Sequence, residues 1–278
     1  MKTNGWKTFG KGVVIGSTMI VPGVSGGTMA MILGIYDSLL EAIASFPKEP
    51  RKYFRFLLVF SIGGAFGLVM FSPLLAWLLE NFKNPTLYFF VGAVCGGIPF
   101  IANKSGEKTS VIKTVAYLLL GFLIVFLISN FPMQFSNSAL GEVEKGVIFL
   151  MFAGMLSAVA LILPGISFSH FLLILGIYDG MLSGIRHGDL QFLVPLAMGT
   201  VAGILLFSRI LEMLLKRYSQ TAYLIILGFV AGSAVQIFPG IRLGGELPIC
   251  ILCGGVGFFC TYAGSALNEL SDKSVDND

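Results

Sequence analysis

Two short stretches of this chain place small hydroxyl and glycine residues directly after a Pro-Gly pair. The first is Pro22-Gly23-Val24-Ser25-Gly26-Gly27-Thr28 and the second is Pro164-Gly165-Ile166-Ser167-Phe168-Ser169-His170. Proline removes a backbone donor and glycine permits unusual backbone angles, so the pair ends a helix. Ser25 and Ser167 are good N-caps for a fresh helix, the first from about Gly26. A helix start exposes up to four N–H groups and the positive end of the peptide dipoles. If two such starts met, Ser25, Gly26, Gly27, Thr28, Ser167, Ser169 and His170 would surround a cavity rich in donors. Phosphate is the natural occupant of such a cavity, and Gly26-Gly27 would let it approach the backbone. A plain tight turn between two complete spans would use the same residues, and spacing alone leaves both readings open.

Other residues could add to this chemistry. Arg209 is an intramembrane cation about five residues from the end of its apolar stretch, close enough to snorkel or to touch a phosphate. Glu212, three positions on, could pair with it. Asp37 and Glu41 share a helix face; a proton-coupling pair is conceivable there, and a solvated interfacial pair is the plainer reading. His170 is a further candidate for proton coupling. Cys250 and Cys253 have metal-like spacing but lie in an apolar run without nearby His or acids, so no metal and no cofactor is expected.

The two stretches belong to one phrase used twice. Residues 19–37 and 161–179 align throughout, with Pro22 and Pro164, and Asp37 and Asp179, each 142 apart. Downstream, Gly63, Gly67, Phe71 and Ser72 align with Gly199, Gly203, Phe207 and Ser208 at a spacing of 136. The repeat sets the architecture. Repeat one covers 8–130 and repeat two 145–267, within a single membrane domain of 1–278 that ends in a polar, disordered tail from 268.

Composition supplies the solvent. Hydrophobic residues make up 55% and charged residues only 12%, about half the charge of a soluble domain. Mean hydropathy is +0.87. Lipid must surround most of the chain, so each span satisfies its own backbone. Residues 56–79 carry no charge and can cross a core of roughly 30 Å. Further spans are expected at 86–102, 114–129, 146–163, 190–214, 222–239 and 247–267, many punctuated by glycines suited to close helix packing. A net charge of +3 gives no reason to expect nucleic acid.

The expected fold is therefore an all-α polytopic membrane protein. Each repeat reads as a broken, re-entrant helical hairpin followed by three transmembrane helices; the first hairpin has two half-span legs, and the first leg of the second, 145–163, is longer, so it begins along the surface or spans further. The odd number of legs makes the repeats inverted, a common transporter plan. With the N- and C-termini in the cytoplasm, Lys48, Arg51, Lys52, Arg55, Lys104, Lys108, Lys113, Lys216 and Arg217 fall inside, residues 130–144, without Lys or Arg, fall outside, and Arg186 and Arg242 are isolated exceptions on the outside. Tyr36 and its counterpart Tyr178 close the phrase, with Tyr36 and Asp37 expected at the membrane surface.

Pro22-Gly-Val-Ser-Gly-Gly-Thr with Leu33-Gly-Ile-Tyr, and Pro164-Gly-Ile-Ser with Leu175-Gly-Ile-Tyr, resemble the bacterial polyprenyl-phosphate transporters. The resemblance covers nearly the whole chain. It implies a translocase of the bacterial cytoplasmic membrane that returns undecaprenyl phosphate from the outer to the inner leaflet for cell-wall synthesis. The partners it implies are that lipid, bulk membrane lipids and a coupling ion, proton or sodium. One departure is Phe168, where the family's second motif usually has glycine. A membrane undecaprenyl-pyrophosphate phosphatase also has Pro-Gly-x-Ser turns in inverted repeats, but its chemistry needs a motif arginine and clustered acids that are absent here. A transporter of a small soluble anion would need the same cradle without a sideways opening.

Overall fold

Both copies of Leu-Gly-Ile-Tyr stop a helix in the same way. Gly34 and Gly176 take φ of +65° and +64°. The Gly34 amide donates to the Met31 carbonyl and the Ile35 amide to Ala30; Gly176 and Ile177 repeat this with Leu173 and Leu172. This is the Schellman cap, which uses a left-handed residue to satisfy the last carbonyls of a helix.

The computed structural model describes residues 5–19, 21, 24–106, 110–130, 146–241 and 245–275. Among these the first half holds α1 (Gly5–Thr18), α2 (Gly26–Ile32), α3 (Tyr36–Ser45), α4 (Pro50–Asn81), α5 (Lys83–Ser105) and α6 (Val111–Ser129). The second holds α7 (Val147–Ile162), α8 (Phe168–Ile174), α9 (Tyr178–His187), α10 (Leu190–Arg217), α11 (Ser219–Ile237) and α12 (Leu247–Val275). The chain is thus an all-helical membrane protein: α4, α5, α6, α10, α11 and α12 are long and apolar enough to cross a bilayer.

Three expectations change. The second leg of the first hairpin, expected to reach Tyr36, ends at Ile32, and α3 departs from α2 at a bend of 118°. The left-handed Gly34 is the cause. The span expected at 146–163 is a helix of 16 residues, about 24 Å, short of the hydrocarbon thickness. The tail expected to be disordered is helical as far as Val275. The Pro22-Gly23 break and the loop at 131–145 lie outside the described residues.

Helix pairing recurs between the halves. α1 packs on α4 as α7 packs on α10, and α5 packs on α12 as α11 packs on α6; α5 and α11 join the halves at the centre. Glycines permit these crossings. A Cβ on Gly12, Gly16, Gly63 or Gly67 would run into backbone across the α1–α4 contact, and one on Gly154, Gly199 or Gly203 would do so across α7–α10. Backbones this close gain dispersion contacts that lipid cannot supply. The opposite faces carry exposed apolar side chains, such as Leu58, Ile62 and Val69 on α4 and Leu119, Leu123 and Leu127 on α6, as a lipid-facing surface requires.

One pairing does not recur. α3 packs broadly on α10, whereas the corresponding pair, α9 with α4, makes no comparable contact among the described residues. Likewise α2 packs on α5, and among the described residues α8 makes no comparable contact with α11.

Candidate functional site

The two motifs meet. Ser25 (φ −90°, ψ 132°) precedes α2 and Ser167 (φ −89°, ψ 125°) precedes α8, in nearly identical extended conformations. Each serine carbonyl accepts the first helical hydrogen bond, from the Met29 amide (3.1 Å) and the Phe171 amide (3.3 Å). Neither serine hydroxyl caps its own helix. Ser25, Gly26, Ser167 and Phe168 line one cavity of about 130 Å³, walled by Met19, Val24, Ala160, Leu161 and Ile166. A helix start without a side-chain cap is the arrangement in which first-turn amides can meet an anion.

Gly27 and Thr28 also hold the two motifs together. A Cβ on Gly27 would stand 3.2 Å from the Pro164 nitrogen and 3.3 Å from the Ile162 carbonyl oxygen. Gly27 therefore lets the first motif sit against the backbone of the second. The Gly165 amide donates to the Thr28 hydroxyl at 2.8 Å, in a buried bond across the halves. Gly165 is itself left-handed, φ +83°, and a Cβ there would run into the Phe229 carbonyl. Thr28→Val keeps the shape but leaves a buried N–H unpaired, and is expected to destabilise the protein by about 1–3 kcal/mol. Thermal unfolding in detergent should show Thr28→Val melting below both wild type and Thr28→Ser; equal melting would remove Thr28 as the brace.

Tyr36 supplies a second brace. Tyr36, expected near the membrane surface, is 5% exposed within the protein and its hydroxyl donates to the Ile162 carbonyl at 2.8 Å. The turn at Gly34 points α3 back toward the core and carries Tyr36 with it. Its counterpart Tyr178 is half-buried and packs against the separate core of α7, α8 and α10.

The remaining candidates lie around this centre rather than in it. His170 Nε2 is 3.2 Å from the Ile128 carbonyl near the end of α6; a carbonyl only accepts, so this nitrogen carries the proton. Asp37 accepts from Lys104 and, at 2.7 Å, from the Tyr223 hydroxyl, joining α3 to α5 and α11. Glu41 accepts from the Tyr53 hydroxyl at 2.9 Å. Asp37 and Glu41 are thus bonded within the protein, to separate partners. Arg209 Nε donates to the Ala44 carbonyl at 3.2 Å, a cation at the C-terminal end of α3. Glu212, expected to pair with Arg209, pairs instead with Lys216 at 2.7 Å, one helical turn along. Ser169 occupies α8, in the position corresponding to Gly27.

Sequence reasoning missed Met19, Leu161 and Ile166 as cavity walls, together with the Asp37–Lys104–Tyr223 cluster. The first three carried no signal beyond apolarity. Lys104 and Tyr223 lie 67 and 186 residues from Asp37, beyond the reach of local spacing.

Residues 15–243 match a family described as undecaprenyl phosphate translocase-like. A polyprenyl-phosphate transporter of Staphylococcus aureus is 32% identical over 247 residues, covering 85% of this chain and 87% of the relative. A polyprenyl-phosphate transporter of Vibrio cholerae is 30% identical over 247 residues, covering 84% of this chain and 77% of the relative. No solved structure matches the chain.

Proposed function

This chain belongs to the undecaprenyl phosphate translocase-like family, and from that membership we propose that it is a transporter, not an enzyme, which moves undecaprenyl phosphate from the outer to the inner leaflet of the bacterial cytoplasmic membrane for reuse in cell-wall synthesis. The observation that carries the proposal is the cavity of about 130 Å³ shared by Ser25, Gly26, Ser167 and Phe168. A lipid phosphate crossing a bilayer needs shelter only for its headgroup, since the prenyl chain already prefers hydrocarbon. Hydroxyl and amide groups lining a cavity within the bundle would supply that shelter where water is absent. Ser25 and Ser167 hydroxyls and the Gly26 and Gly27 amides would hold the phosphate. Phe168, in place of the glycine at this position, narrows one side, so the first motif would contribute more.

Movement requires two states. The unequal packing of the halves supports an exchange in which α3 leaves α10 as α9 docks on α4, the inverted repeats trading conformations. Arg209, on the Ala44 carbonyl, stands where α3 meets α10. With Lys216 and Arg217 it would attract the phosphate at the basic end of the bundle, taken as cytoplasmic. Asp37, Glu41 and His170 remain the candidates for coupling to a proton or sodium gradient.

Purified protein in liposomes loaded with undecaprenyl phosphate tests the proposal directly. Headgroup exposure is followed with a non-permeant probe, and phosphate release from the pyrophosphate form is assayed in parallel. Faster leaflet exchange without phosphate release is expected. Phosphate release would make the protein a hydrolase. Uptake of free phosphate without lipid exchange would make it a carrier of small anions.

A further inference from the structure

The phosphate of a polyprenyl phosphate is bonded directly to its first isoprene unit. Any cavity that receives the headgroup must therefore open into a place for the adjoining chain. A cavity of about 390 Å³ lies between α1–α3 and the helices α4 and α10, and it shares Met19, Gly26 and Leu161 with the small polar cavity. Its volume is that of a ligand pocket rather than a packing defect. A second apolar cavity of about 350 Å³ lies on the other side of α1, lined by residues such as Val14, Met29, Phe71 and Phe89, and it shares none with the polar one.

The chemistry of the larger cavity fits hydrocarbon. Two of its polar side chains use their hydroxyl protons internally: Ser208 donates to the Ile204 carbonyl and Tyr36 to the Ile162 carbonyl. Both leave an apolar wall with Leu57, Phe60 and Ile204. Ser61 sits at the exposed edge on α4, on the side where α4 and α10 face each other across the cavity. The divider between the two cavities is soft. The Met19 methyl would lie 3.3 Å from a Cβ on Gly26, and an unbranched thioether moves aside easily.

We infer that the cavity bounded by Met19, Leu57, Phe60 and Ile204 holds the phosphate-proximal isoprene units of the cargo, with the remaining chain leaving past Ser61 into the bilayer. This inference rests on the phosphate reading given above. Met19 is the gate between headgroup and chain subsites, and the route along the Val14–Phe71 side of α1 is not used.

The test is photolabelling of the protein in liposomes with farnesyl phosphate carrying a diazirine on its second isoprene unit, with adducts mapped by mass spectrometry. Farnesol with the same diazirine is the control. Adducts on Leu57, Phe60 and Ile204 are expected, with Ser61→Phe reducing them at least about tenfold by occupying the apolar mouth. Adducts on Met29, Phe71 or Phe89 instead would overturn the inference while leaving the phosphate reading intact. So would the absence of specific adducts from folded protein. Equal labelling of Leu57 and Phe60 by farnesol would leave the chain subsite standing and remove the phosphate cradle.

Discussion

Gly26→Leu is expected to reduce leaflet exchange to background in a protein that remains folded. The three atoms nearest a Cβ at this position all belong to the flexible Met19 side chain, at 3.3–3.6 Å. Leucine is also a better helix former than glycine by about 1 kcal/mol, which offsets mild crowding. The added side chain would fill the cavity of about 130 Å³ and cover the first-turn amides of α2. Gly27→Leu provides the contrast. Its Cβ meets the Pro164 nitrogen and Ile162 carbonyl, backbone atoms that cannot swing away. Overpacking there costs about 1–3 kcal/mol, so transport lost at position 27 should track lost folded protein. The measurement is exchange per folded molecule, with melting temperature taken on the same preparation. Normal exchange by folded Gly26→Leu would mean that the phosphate does not pass between Ser25 and Ser167.

Gly67→Leu and Gly199→Leu are expected to prevent folding rather than impair function. A Cβ on Gly67 would overlap the Val13 carbonyl, and one on Gly199 the Met151 carbonyl. Each crossing would have to separate along its length, at about 3 kcal/mol or more. Gly64 serves as the control within the same segment: its Cβ would stand 3.8 Å from the Gly12 carbonyl, an ordinary contact, so Gly64→Ala should melt like wild type. Yield of monodisperse protein and its melting temperature report the outcome. Wild-type behaviour of either leucine variant would show that its crossing is not held by backbone contact.

Much of the fold was legible in the sequence, for identifiable reasons. Scarce charge and long apolar runs require lipid as solvent, and lipid leaves helices as the economical way to satisfy a backbone. The doubled phrase pointed to matching halves, and its serines to paired helix starts, because both depend on residues close together in sequence. The stop at Gly34 was also written there, in Leu-Gly-Ile-Tyr, but a glycine cap looks like any other glycine within an apolar run until its φ is known.

Partnership across the halves was decided by tertiary structure. Gly26 and Gly27 are adjacent and chemically identical, yet only Gly26 lines the small polar cavity while Gly27 abuts the Pro164 backbone, because successive residues at a helix start point about 100° apart. Tyr36 reads as an interfacial tyrosine, and only the fold brings it to the Ile162 carbonyl, 126 residues away. The unequal packing of α3 and α9 is likewise invisible in two nearly identical phrases. The sequence by itself determined the solvent, the helical class, the repeated plan and the residue types able to meet an anion. The fold alone decided which of those residues face the cavity and which brace its walls, because that depends on contacts between segments more than a hundred residues apart, and local spacing carries no record of them.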